Sequence, residues 1–247
     1  MIPLIKAEFR KLLTVRSTYV IFAICIAIVA LFAGYGDGFR ATQEGLLRPD
    51  ALMGEPFNAI VFAGLIMSFA GMLLVAHEYR YNTIVYALTI ANRRLKVLLA
   101  KFIVVSIFAV LTGLALAFFA PLCTIIGAHL HGYHLGPQHF DYWAVIWRCA
   151  FVGWGYAMFA FSFIFIMRNQ VGSIVTFLLV PLIGESIISH IFPTTINYLP
   201  FTMLQAVATP TGLGNHTTIA HAVVVSGVYI AVGLLVSAGL LVKRDAN

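Results

Sequence analysis

Residues 102–128 read FIVVSIFAVLTGLALAFFAPLCTIIGA, without a single Asp, Glu, Lys, Arg or His. As a helix rising 1.5 Å per residue, this run reaches about 40 Å, more than the ~30 Å hydrocarbon core of a bilayer. The excess length and Pro121 together predict a kink, or a separate outer segment starting at the proline.

The pattern recurs on both sides. Apolar segments cover about 18–36, 57–76, 143–167, 171–192 and 219–242, each near the ~20 residues needed to cross. Backbone groups in lipid must be satisfied within the segment, and the runs are continuous rather than alternating. They are helices, not barrel strands. The whole chain agrees: 61% of its 247 residues are hydrophobic and 10% charged, and mean hydropathy is +0.96. Soluble domains carry about 25% charge, and disorder needs low hydrophobicity, so a water-soluble enzyme and a disordered chain are both excluded. The expected fold is an all-α integral membrane protein with six transmembrane helices in one domain, 1–247.

Charge placement sets the expected orientation. Lys6, Arg10, Lys11, Arg16, Arg80, Arg93, Arg94, Lys96, Lys101, Arg168, Lys243 and Arg244 fall on the N-terminal side, against Arg40, Arg48 and Arg148 opposite. The positive-inside rule then puts both termini in the cytoplasm of a multi-pass inner (plasma) membrane protein. The net charge of +6 suits anionic headgroups rather than nucleic acid. The N-terminal stretch is read as an uncleaved first helix rather than a signal peptide. Cys25, Cys123 and Cys149 lie in apolar runs with no metal or disulfide spacing, and read as packing residues.

Three stretches do not span. Over 1–16, Ile2, Ile5, Phe9, Leu12 and Leu13 share a helical face with Lys6, Arg10 and Lys11 around the other, which predicts an interfacial amphipathic helix. In the loop 77–96, Asn82 or Thr83 caps a short helix ending near Ala91 or Asn92, with its cytoplasmic face open to another protein. Over 193–218, Pro193, Pro200, Pro210, Gly212 and Gly214 interrupt an apolar stretch. It is too broken to span and too greasy for a free loop, so an outer re-entrant segment of short helices is expected.

This order of elements, over essentially the whole chain, resembles the ABC type-2 exporter permeases. The local pattern is Glu78-x-Arg80-x-x-Thr83, then Asn92-Arg93-Arg94 and Lys101, with Asn197-Tyr198-Leu199-Pro200-Phe201 in the outer stretch. Asn82 and Ala91 depart from the Gly, and the Pro or Ser, more frequent there. The resemblance implies a permease subunit that pairs with a second copy or a paralogue and docks a separate ABC ATP-binding subunit. The short inner helix would be the coupling helix, with Glu78, Arg80, Thr83 and Arg93 as coupling residues. ATP and Mg would sit on the partner, since this chain has no G-x-x-x-x-G-K-[ST] run and needs no cofactor of its own. The implied function is export of a hydrophobic or amphipathic substrate (drug, peptide or lipid-like) by alternating access.

Other constellations are weaker. His77-Glu78 begins like a zinc helix, but position 81 is Tyr. Ser173 lacks a nucleophile elbow. No enzymatic role is therefore expected, and an intramembrane enzyme or anchor stays as the rival class. Four outer histidines, His129, His131, His134 and His139, match no closed metal site. They motivate the alternative of a metal- or haem-related permease. Glu185 reads as the only acid inside a span. It is either a transport-pathway residue or a structural one bonded to the broken 193–218 segment.

Overall fold

The computed structural model describes residues 2–48, 51–52, 56–81, 94–138, 141–209 and 217–244. All regular structure among them is helical. Helix α1 spans Ile2–Thr14. Val15, in an extended conformation, separates it from α2, Arg16–Val29, which widens into a π-helix over Ala30–Phe39. The short α3 is Gln43–Leu46. Three long helices follow: α4 (Pro56–Arg80), α5 (Arg94–Leu130) and α6 (Tyr142–Met167). Helix α7 (Gln170–Leu179) passes through a π turn, Val180–Gly184, into α8 (Glu185–Ile191). A 3₁₀ turn, Pro193–Tyr198, precedes α9 (Pro200–Ala208) and α10 (Ile219–Arg244).

Among the described residues, six helical stretches are long and apolar enough to cross a membrane: Arg16–Phe39, Ala59–Arg80, Leu95–Leu130, Tyr142–Met167, Gln170–Ile191 and Ile219–Leu241. Each corresponds to one of the apolar segments. The chain is a multi-pass helical membrane protein. Helices α4 and α6 bury most of their surface, and α5 packs on both. The stretches around α7–α8 and α10 bury little. They expose Val171, Leu182, Val224 and Leu235, side chains that lipid solvates well. The three cysteines are free and buried, as packing residues are.

Two boundaries correct the sequence reading. Pro121 starts no separate outer segment, because α5 runs unbroken through it to Leu130. A break there would leave backbone groups unmet in lipid, so continuing the helix costs less. The second segment runs past 76 to Arg80, which carries Glu78 into a membrane-length helix. Glu185 is therefore not the only acid in such a helix.

The π-helix has a visible cause. Gly34 and Gly38 lie against α5 so closely that a Cβ on Gly127 would collide with the Gly34 carbonyl. Small residues permit this approach. Thr124 of α5 donates its hydroxyl to the Ala33 carbonyl at 3.1 Å, meeting an acceptor in the widened turn. The second π turn contains Pro181, whose ring would clash with the preceding turn of a regular helix.

Residues 82–93, which hold Asn82, Thr83, Ala91, Asn92 and Arg93 of the expected coupling helix, lie outside the described residues. So do His139, Pro210, Gly212 and Gly214.

Candidate functional site

Helix α1 turns Ile5, Phe9 and Leu12 toward the bundle, and Glu8 lies on that same face. Ile2 and Leu13 are exposed. An acid at this position is costly unless it is paired. The pairing is a closed cluster of four charges. Lys101 Nζ lies 2.9 Å from Glu8 Oε2 and 2.7 Å from Glu78 Oε1. Lys11 Nζ lies 3.0 Å from Glu8 Oε1 and 2.8 Å from Glu78 Oε1. Two ammonium groups face two carboxylates, so the cluster is neutral.

Glu8 and Lys101 are each 1% exposed and Glu78 is 6%, so this is not a surface salt bridge. Each ammonium group touches both carboxylates. That sharing is the geometry that offsets desolvation of a buried ion. Glu78 Oε1 serves both lysines, while its Oε2 takes no hydrogen bond among the described residues. Lys11 is half-buried. Burial pulls its pKa down, but the hydrogen bonds and charges of Glu78 and Glu8 outweigh this and raise it above the usual lysine value.

The cluster joins three elements: α1, the last turn of α4 and the second turn of α5. The two long helices are the ones that flank residues 82–93. Sequence reasoning singled out Glu78 but paired it with Arg80, placed Lys101 before the third segment, and passed over Glu8. One local signal was present: Glu8 stands three residues before Lys11, between Ile5, Phe9 and Leu12. Arg80 turns away from Glu78 and is exposed, its guanidinium 5.5 Å from the centre of the Tyr81 ring.

A third buried carboxylate sits at the other end of the bundle. Glu185, 5% exposed, accepts from Phe201 N at 2.8 Å, Thr202 N at 2.6 Å and Thr202 Oγ1 at 2.6 Å. These are the first free N–H groups of α9, because Pro200 at its first position has none. Leu199, the residue before the helix, offers no capping oxygen. Glu185 therefore caps α9 from a distance and opposes its positive end. The same segment is tied to α10. Thr217 Oγ1 donates to Asn197 Oδ1 at 2.8 Å, and the His221 ring lies 2.9 Å from the Asn197 carbonyl.

The outer histidines do not converge among the described residues. The His129 and His134 rings are 6.4 Å apart. His131 packs edge-on against Phe39 and tilts over Tyr133. Asp141 is occupied as the N-cap of α6, accepting from Trp143 N and Ala144 N. No group of three His, Cys, Asp or Glu among the described residues could hold a metal ion. Ser173 donates to the Asn169 carbonyl one turn back, at 2.7 Å, as membrane serines do.

No curated protein matches the chain. The family described as ABC-2 family transporter protein matches residues 4–184, from α1 to the π turn before Glu185, and takes in all four residues of the charged cluster. With well over half of its length matched, the chain belongs to the ABC-2 family of membrane transporter proteins.

Proposed function

We propose that this chain is the permease subunit of an ATP-driven exporter, lying in the inner membrane with both termini in the cytoplasm. It would pair with a second permease copy or a paralogue and dock a separate ABC ATP-binding subunit, which supplies ATP and Mg. The observation that carries this reading is the neutral cluster of Glu8, Lys11, Glu78 and Lys101. It anchors the last turn of α4 and the start of α5 to α1, so the two helices that flank residues 82–93 are held rigidly where that loop joins them. A push on that loop would then move three helices together rather than bend the loop. Thr83 and Arg93 within the loop are the contacts proposed for the ATPase.

ATP binding would draw the two coupling loops together, and the helices joined to them would change access to a path between the halves. The substrate is proposed to be hydrophobic or amphipathic, in keeping with the scarcity of charges within the spans. Glu185 is assigned the positioning of α9 rather than contact with substrate, since three donors already occupy its carboxylate. The outer segment 193–218 is proposed to re-enter the membrane, because α9 is apolar and largely buried.

Affinity purification of the tagged chain from its native membrane tests this reading. A P-loop ATPase should co-purify in stoichiometric amount and be lost when residues 82–93 are replaced by a Gly/Ser linker. A folded permease that never carries an ATPase would overturn it.

A further inference from the structure

The turn between α6 and α7 opens beside the last turn of α4 into a cleft of about 500 Å³. Arg80 and Arg168 line it with the polar side chains of Asn169 and Gln170. Val171 and Ile174 form its apolar part, and no carboxylate among the described residues lines it. Arg168 is fixed there by the backbone. It ends α6 in the left-handed region, φ 53, and its Nη2 donates to the Leu240 carbonyl of α10 at 3.2 Å. Few non-glycine residues adopt that conformation without cause. Arg80 approaches from α4 with an exposed guanidinium. Asn169 caps Val171 N and Gly172 N, and the positive end of α7 adds to the field of the two arginines.

The apolar part does not stop at the cleft. Val171, Val175 and Leu179 follow at four-residue spacing on one face of α7, and are 69%, 46% and 47% exposed. Two cationic groups thus stand at the head of an aliphatic strip running along a membrane-length helix. We propose that this cleft binds one anionic phospholipid, its phosphate between Arg80 and Arg168 and an acyl chain along Val171, Val175 and Leu179. A free anion would make no use of the strip, and an acidic protein segment would not follow a helix into lipid. Each guanidinium near an anionic headgroup strengthens binding about fivefold.

The test uses the full-length chain, purified in detergent and incubated with phosphatidylglycerol and phosphatidylcholine in equal amounts. Retained lipid is then counted by native mass spectrometry. Phosphatidylglycerol should be enriched, with the enrichment falling about fivefold in Arg80→Gln and surviving in Arg80→Lys. Arg168→Gln should act similarly, but it also removes the bond to Leu240. Arg80→Gln, which removes no hydrogen bond or ion pair among the described residues, is therefore the deciding variant. Val175→Asn should weaken retention of both lipids. Unchanged enrichment in Arg80→Gln would overturn the proposal. Displacement of phosphatidylglycerol by equimolar inorganic phosphate would also overturn it, pointing to a simple anion site. So would a bound acidic protein segment with no lipid enrichment. The measurement needs no ATPase, so its outcome is separate from that of the co-purification.

Discussion

Lys101 Nζ and Glu78 Oε1 meet at 2.7 Å across the base of the 82–93 segment, with Lys101 almost wholly buried. Removing one member of a buried pair strands its partner's charge, which costs about 3 to 5 kcal/mol. Lys101→Met should therefore lower the unfolding temperature in detergent sharply. Lys101→Met combined with Glu8→Gln removes one charge of each sign and should recover much of the loss. A double-mutant cycle on unfolding free energy should give a coupling of at least about 1 kcal/mol between the two positions. Simple additivity would mean that the cluster is not a unit.

The lysine of the cluster that lies outside the spans gives a pH signature. Lys11 has a folded pKa raised above its unfolded value of about 10.4. Its ionised form contributes stability fully below that unfolded value, and the contribution is lost as pH rises through the folded one. The stability gap between the wild type and Lys11→Gln should thus stay constant from neutral to mildly alkaline pH. It should shrink only above about pH 10.4. Thermal unfolding across buffers reads this directly, and a gap that closes near neutrality would contradict the assignment.

Glu185 and α9 form a cap that can be dismantled in steps. Thr202→Val removes one hydroxyl bond and should cost about 1 kcal/mol. Glu185→Ala removes every acceptor and should cost about 2 kcal/mol or more. In hydrogen exchange, the amides of Phe201 and Thr202 should lose protection first in Glu185→Ala, before α6 or α4 changes. Glu185→Gln keeps one carbonyl oxygen and should fall between the two.

The crossing of the π-helix with α5 makes a steric prediction. Gly127→Ala places a methyl against the Gly34 carbonyl and should destabilise by about 1 to 3 kcal/mol. Gly227→Ala in α10 meets nothing within 4 Å and should be neutral, or stabilising by up to about 1 kcal/mol. Unfolding of the two variants side by side separates a local clash from a general effect of adding alanine to a membrane helix.

Much of this protein is written locally. The uncharged run 102–128 and its five counterparts fix a six-helix membrane chain, because solvation by lipid depends on composition within each segment. The uneven placement of Lys and Arg is likewise a count along the chain. Proline and glycine in 193–218 mark a stretch that does not span, and the structure there has a 3₁₀ turn and a short helix.

Partner choice among the buried charges was not local. Glu8 and Lys101 are 93 positions apart, and Lys11 and Glu78 are 67 apart. A charge in a sequence names no partner at that distance, so Glu78 read as the neighbour of Arg80 and Lys101 as a base outside the third segment. Only the packing of α1 against α4 and α5 brought the four together and buried them. Glu185 shows the same division. Its sequence context marked an acid in a span near a broken segment, and the fold determined that its carboxylate closes the N-terminus of α9. Hydropathy is a property of a segment, whereas an ion pair belongs to two helices that have met, and that meeting is what tertiary structure decides.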